Sequence, residues 1–450
     1  MRLEYERMRL TNVGMMVLPP GHVQSYSPRV GALGASLPIS FDQRRHVEAG
    51  SRPGSWMAIS FRLPAGTTPA QVEQAWLAVL ARHGTLRTTF SRSPAGLLAL
   101  HETALHPGTW REHETGGRPT RDVVRDVFDA ACQPFARPSH ELCLVRPDEP
   151  DATGDDRPVL LVGADHAHVD MWSVVVLARD LLAGLDDTLP GTEAPAFAAH
   201  TRELETAPPA PQQVHDRWSQ ILAAGGGSMP TFPLPLGDLD PRPEEVVEVR
   251  DLLDGPGWTA FENAAREQDA RPTAVAVAAL TQVCLELAGV PLRAVFPVHS
   301  RHDPRWHDAV GWFITNAVLE CRTADPGAAR EAVAEATTLG SHPLAPILAP
   351  YGGMPEGPGM FALSWLDTRR LPVRLDPSTR AQYVSAAMRT DGVMVWFVVT
   401  DDGLHLRARY PDTPQARDSL TRWLDAVEHQ IRSAVTPARR ARSRRRPRCR

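Results

Sequence analysis

The chain of 450 residues is too long for one small core, so two domains or subdomains are expected. A hydrophobic fraction of 42% and a charged fraction of 22% are those of a globular protein, and a formal charge of −5 argues against nucleic-acid binding. Eight arginines crowd into the last twelve residues, RRARSRRRPRCR from Arg439, so the body is more acidic than the total; residues 437–450 read as a disordered, solvated tail.

All 48 basic residues are arginine, which excludes Schiff-base chemistry on a lysine. Cys132, Cys143, Cys284, Cys321 and Cys449 show no CxxC spacing and none lies close to a histidine pair, poor material for a zinc site or a disulfide framework. No apolar run approaches eighteen residues, and MRLEYERMRL lacks a signal core, so no membrane association and a cytoplasmic location are expected; Met8 offers an alternative start.

Residues 1–35 read as a lead-in. WMAISFRL (Trp56 to Leu63) is rich in β-formers, and Thr68-Pro69 opens a helix whose apolar positions Val72, Ala75, Trp76, Val79 and Leu80 fall on one face. Gly84 ends it and LRTTF resumes as a strand; residues 112–157 are polar, with helical character from Arg121 to Cys132. PVLLVGA (Pro158 to Ala164) is a continuous apolar run suited to a strand covered on both faces, and MWSVVVLARDLLAGL reads as a buried helix ending at Gly184. Helices are expected near 194–205 and 212–223, then a Gly- and Pro-rich crossover from Gly225. The second half repeats the mixture. VVEVRDLL is a strand, Pro272 to Gly289 a buried helix, LRAVFPV and Gly311 to Arg322 strands, with a hairpin turning on Asp401-Asp402-Gly403 and a helix near 413–433. Two α/β halves meeting at a crevice is the economical fold.

Between the strand and the helix lies DHAHVDMWS (Asp165 to Ser173), on a turn where backbone N–H groups are free to meet a ligand. One reading is metal: His166, His168 and Asp170 spell HxHxD, the opening of a metallo-β-lactamase-like hydrolase signature, and their donor types suit zinc. Met171 stands where a further ligand belongs, and no second His/Asp cluster follows, so no metal is expected. The other reading is proton transfer, with His166 facing a channel and Asp170 turned inward to an arginine. The bland alternative makes His166 a core histidine and Asp170 a helix cap.

Neighbouring segments decide. DHAHVDMWS is similar to HHxxxDG followed by WS, the hallmark of nonribosomal peptide synthetase condensation domains, which share the chloramphenicol acetyltransferase fold. PISFDQRRHVEAG (Pro38 to Gly50), ARHGTLRTTF (Ala81 to Phe90), FPVHSRHDP with GWFITNAVLECR, and DDGLHLRARYPDTPQARDSLTRWLDAVEHQI resemble further family motifs in family order, from about residue 36 to 433. The resemblance implies two acyltransferase-like subdomains (36–205 and 206–436) forming a V-shaped pseudo-dimer with a central crevice.

It further implies a free-standing condensation enzyme of natural-product biosynthesis. The donor would be a thioester on the phosphopantetheine of a carrier protein, the acceptor a small amine or alcohol, the product an amide or ester, with no cofactor of its own. His166 is the implied catalytic base, Asp170 is structural, and Arg87 its implied partner. Asp165, Met171, Ser173 and Asn316 are expected along the substrate channel, with oxyanion donors near Ser173. His168 is expected at the surface or in a loop, and Trp312 in the core. Asp165 replaces the first histidine of the motif and Met171 its glycine, a bulky side chain where the carrier arm approaches. A catalytically degenerate binding module and a coenzyme A-dependent acyltransferase are the rival readings.

Overall fold

Val159–Asp165, seven buried residues in a row, is a central strand, as its unbroken apolar run predicts. It pairs antiparallel with Trp56–Arg62 on one side and His140–Pro147 on the other. The computed structural model describes residues 9–435; Met8, Cys449 and the arginine-rich tail lie outside them. The first sheet has eight strands, in spatial order Arg9–Asn12, Gln382–Ser385, Trp56–Arg62, Val159–Asp165, His140–Pro147, Gly21–Leu37, Leu98–His113 and Thr88–Arg92.

Helices cover both faces of that sheet. Val72 and Trp76 of Pro69–Arg82, with Val174 to Ala178 of Met171–Leu185, pack on Ile59, Leu160 and Val162. Val124 and Phe128 of Thr120–Ala131 pack on Ala58 and Leu161 behind. Pro69–Arg82 starts where its sequence says it should. Thr68 accepts the Gln71 N–H while its own N–H donates to Gln71 Oε1 at 2.9 Å, a reciprocal cap at a helix end that otherwise leaves donors bare.

The second sheet runs Ile314–Cys321, Leu292–His299, Phe361–Asp367, Val393–Thr400, Gly403–Pro411 and Glu245–Asp254. Helices Gly255–Glu267, Pro272–Ala288, Pro326–Gly340 and Pro414–Ser433 bury its outer face in one continuous core. Its inner face, with Val295, Ala362, Met394 and Trp396, looks into the crevice between the halves.

Two features differ from expectation. The 1–35 stretch is no mere lead-in, because Arg9–Asn12 and most of Gly21–Leu37 are strands of the first sheet. Gln382–Ser385, from deep within the second half, crosses over to lie between Arg9–Asn12 and Trp56–Arg62. The first sheet is therefore built from both halves.

Candidate active site

The central strand ends at Asp165, residues 166–169 turn, and Asp170 caps the helix Met171–Leu185. Asp170 Oδ1 accepts from the Ser173 N–H and the Ser173 hydroxyl, both at 2.8 Å, while Oδ2 accepts from the Phe313 N–H at 3.0 Å. Arg301 supplies the countercharge. Its two terminal nitrogens reach both oxygens of the Asp170 carboxylate, one at 3.1 Å, and it also donates to the Ser173 hydroxyl at 2.8 Å and the Ala309 carbonyl at 3.1 Å. Both side chains are essentially inaccessible. Burial alone would raise the Asp170 carboxyl, but Arg301 and Ser173 hold it below its ordinary value. This buried pair joins the first half to the second at the motif itself.

The implied Asp170–Arg87 pair is therefore corrected. Arg87 donates to Glu193 at 2.8 Å in an exposed pair, since its short 3-10 turn, Gly84–Arg87, aims it outward. Ser173 is likewise no channel residue or oxyanion donor. It is buried, its N–H is spent on the cap, and its hydroxyl accepts from the Gly311 N–H at 3.0 Å while its one proton is shared between Asp170 Oδ1 and the Gly311 carbonyl, 2.9 Å away. Gly311 must be glycine, because a Cβ there would sit 2.5 Å from the Phe197 side chain.

His166 lines the crevice. Its Nδ1 lies 2.8 Å from the Val169 carbonyl, which can only accept, so Nδ1 carries the proton and Nε2 keeps its lone pair. The ring stacks on Trp312, centroids 3.8 Å apart and planes 13° from parallel. Trp312 is thus a platform in the crevice rather than core. Burial, with His46 nearby, pushes His166 down to about 4, so it is a neutral base at ordinary pH.

Asp165 is fully buried rather than in the channel. Both its oxygens lie 3.2 Å from His46 Nε2, and Arg52 donates to the other ring nitrogen, Nδ1, at 3.1 Å. His46 comes from the helix Phe41–Glu48, so the members of this acid–imidazole pair are contributed by different elements. His168 also departs from expectation. It is buried, 3.0 Å from the Ser139 hydroxyl and edge-on to Phe90. His166, His168 and Asp170 thus face different partners, and among the described residues no three His, Cys, Asp or Glu side chains converge as metal ligands.

The crevice holds about 750 Å³ and is walled by tryptophan, methionine and arginine. Met171 and Asn316 line it, the latter donating to Asp42 at 3.3 Å. Tyr383, on the crossing strand, lines it too, and its buried hydroxyl has no hydrogen-bond partner among the described residues. Arg301 and His46 lie inside the quoted motifs but carried no separate signal, and Tyr383 sits in a segment with no motif at all.

No family model matches the chain. Acyltransferase PapA3 of Mycobacterium tuberculosis is 22% identical over 431 residues, 88% of each chain. Among solved structures, PapA2 acyl transferase superposes with a TM-score of 0.79 at 20% identity, covering 95% of this chain and all of that one. The first condensation domain of the CDA synthetase superposes with a TM-score of 0.69 at 13% identity, covering 89% and 97%.

Proposed function

As an acyltransferase with the condensation-domain fold, this chain, we propose, joins a thioester-activated acyl group to an amine or alcohol, giving an amide or an ester. The observation that carries the reading is His166: neutral, fixed in one tautomer by Val169, and held on Trp312 in the wall of the crevice. The acceptor O–H or N–H gives its proton to Nε2 as oxygen or nitrogen attacks the thioester carbonyl. Collapse of the tetrahedral intermediate breaks the C–S bond, and the imidazolium returns the proton to the leaving sulfur. Holding both reactants in one crevice supplies much of the remaining acceleration.

The intermediate's oxyanion needs a donor, and the Ser173 and Val174 N–H groups at the helix start are already used by Asp170. Tyr383 suits that role. Burial and the nearby Asp170 charge raise its pKa, so it stays a donor, and its free hydroxyl has no bond to break first.

A carrier-protein thioester is the favoured donor, because the fold is shared with a condensation domain of a synthetase. The deciding experiment offers acyl-carrier and acyl-coenzyme A thioesters with amine and alcohol acceptors. Transfer from the carrier-bound donor, lost in His166→Ala, is expected. Transfer from coenzyme A alone would reassign the donor, and inertness with every thioester would point to a degenerate binding module.

A further inference from the structure

Acyl transfer leaves one end of the crevice without a role. On the inner face of the second sheet, strand Gly403–Pro411 carries Arg407 and Arg409, opposite Trp396 and Met394 of the neighbouring strand. Both guanidinium groups lie over the Trp396 indole, 4.6 and 5.5 Å from its centroid. Arg407 is buried and donates to the Ser385 hydroxyl at 2.9 Å. Arg409 lines the crevice, and its hydrogen bond goes to the Met394 thioether at 3.6 Å, a weak acceptor. The Nε of each arginine is buried without a hydrogen-bond partner among the described residues.

The charges do not balance. Glu245 is the carboxylate facing this pair, 3.9 Å from Arg409, with one oxygen taken by Asn12 at 2.9 Å and the other unpartnered. Two guanidinium groups therefore face one carboxylate in a buried place. The other arginines of the crevice differ: Arg301 has Asp170, Arg45 has Glu356, Arg242 has Asp391 at 2.9 Å and Arg370 has Asp367 at 3.3 Å, while Arg271 is exposed. Burial and the neighbouring Arg409 push Arg407 down to about 9, and burial lowers Arg409 against the pull of Glu245. An uncompensated buried charge is costly, and a cavity that retains one is shaped for a counterion.

We propose that this end of the crevice binds the carboxylate of a substrate, with Arg409 as its partner and an apolar, aromatic body lying along Trp396. A monoanion matches the single excess positive charge, and a planar carboxylate matches the guanidinium fork. A phosphate dianion would overshoot. Calling the guest a substrate rests on the acyl-transfer reading; the carboxylate site itself does not.

The test is calorimetric titration of the full chain, without thioester, using 4-phenylbutanoate and its neutral counterpart 4-phenylbutanamide. The acid is expected to bind roughly ten- to a hundredfold more tightly, the span of a charge-assisted hydrogen bond. Arg409→Met should remove that preference and Arg409→Lys should weaken it, the second variant guarding against a folding failure in the first. Equal binding of acid and amide, no binding of the acid, or a preference that survives Arg409→Met overturns the proposal. His166→Ala should keep the preference while losing transfer. A wild-type chain that prefers the acid yet transfers nothing sinks the acyltransferase reading and leaves the carboxylate site standing.

Discussion

The imidazole of His166 lies flat on the indole of Trp312, so one face of the proposed base is covered and its reach is confined to the ring edge. The Val169 carbonyl takes one edge nitrogen, leaving a single atom for chemistry. His166→Ala should lower kcat roughly 10²- to 10⁴-fold, the usual span for a positioned acid or base, with an unchanged circular dichroism spectrum. His168→Ala should instead lower Tm, since it empties a buried site against Ser139 and Phe90 while leaving the crevice intact. Equal kinetic defects in the two variants would mean that the proton moves elsewhere.

Asp170 and Arg301 should behave as one unit in urea unfolding. Each single alanine variant strands a buried charge and should cost about 3–5 kcal/mol, whereas the double variant should cost clearly less than their sum. Arg87→Ala, at an exposed pair, should stay within about 1 kcal/mol of wild type. Additive losses for Asp170 and Arg301 would disprove the contact.

Tyr383→Phe removes one oxygen that has no partner in the unliganded chain, so thermal stability should hold or rise. Loss of an oxyanion donor should nonetheless reduce kcat roughly 10²- to 10³-fold with little change in KM. Turnover within about threefold of wild type would remove Tyr383 from the reaction, given what such donors contribute elsewhere.

Acid should weaken the fold well before it protonates the base. His140 is pushed down to about 3 by burial, and His166, His168 and His200 to about 4. Between those values and the ordinary 6.5 of free histidine the unfolded chain binds more protons, so stability falls as pH drops through that window. Asp42, raised to about 6 by burial, works the other way, gaining stability below about 6, but it is one group against four. Melting curves from pH 8 to 4.5 should therefore show Tm steady above about 7 and declining below about 6.5, while kcat of the surviving folded enzyme stays level to about 5. A Tm that rises toward pH 5 would contradict the neutral, buried state of these histidines.

Much of the site could be read from DHAHVDMWS, because a strand-to-helix turn forces its residues into one place: His166, Asp170 and Met171 stand where the motif implies. The partners could not. Arg301 lies 131 positions from Asp170, and His46 lies 119 from Asp165, separations at which local spacing carries no information. Ser173 was misread because the Asp170 cap takes the very N–H that an anion site would use. The helix Pro69–Arg82 announces itself through Thr68-Pro69 and its apolar stripe, the strand Val159–Asp165 through its apolar run. Gln382–Ser385 is too short to announce itself: four residues, set between two strands that lie hundreds of positions away.

That crossing strand also sets an order of events. On the ribosome, Trp56–Arg62 has its partner Val159–Asp165 long before Gln382–Ser385 exists, so its other edge stays bare while more than two hundred further residues are made. An unpaired strand edge invites pairing with another chain. Arg9–Asn12 fares worse, since its one strand partner among the described residues is the latecomer itself. The first sheet is thus completed only when a single four-residue stave arrives from the far half of the chain.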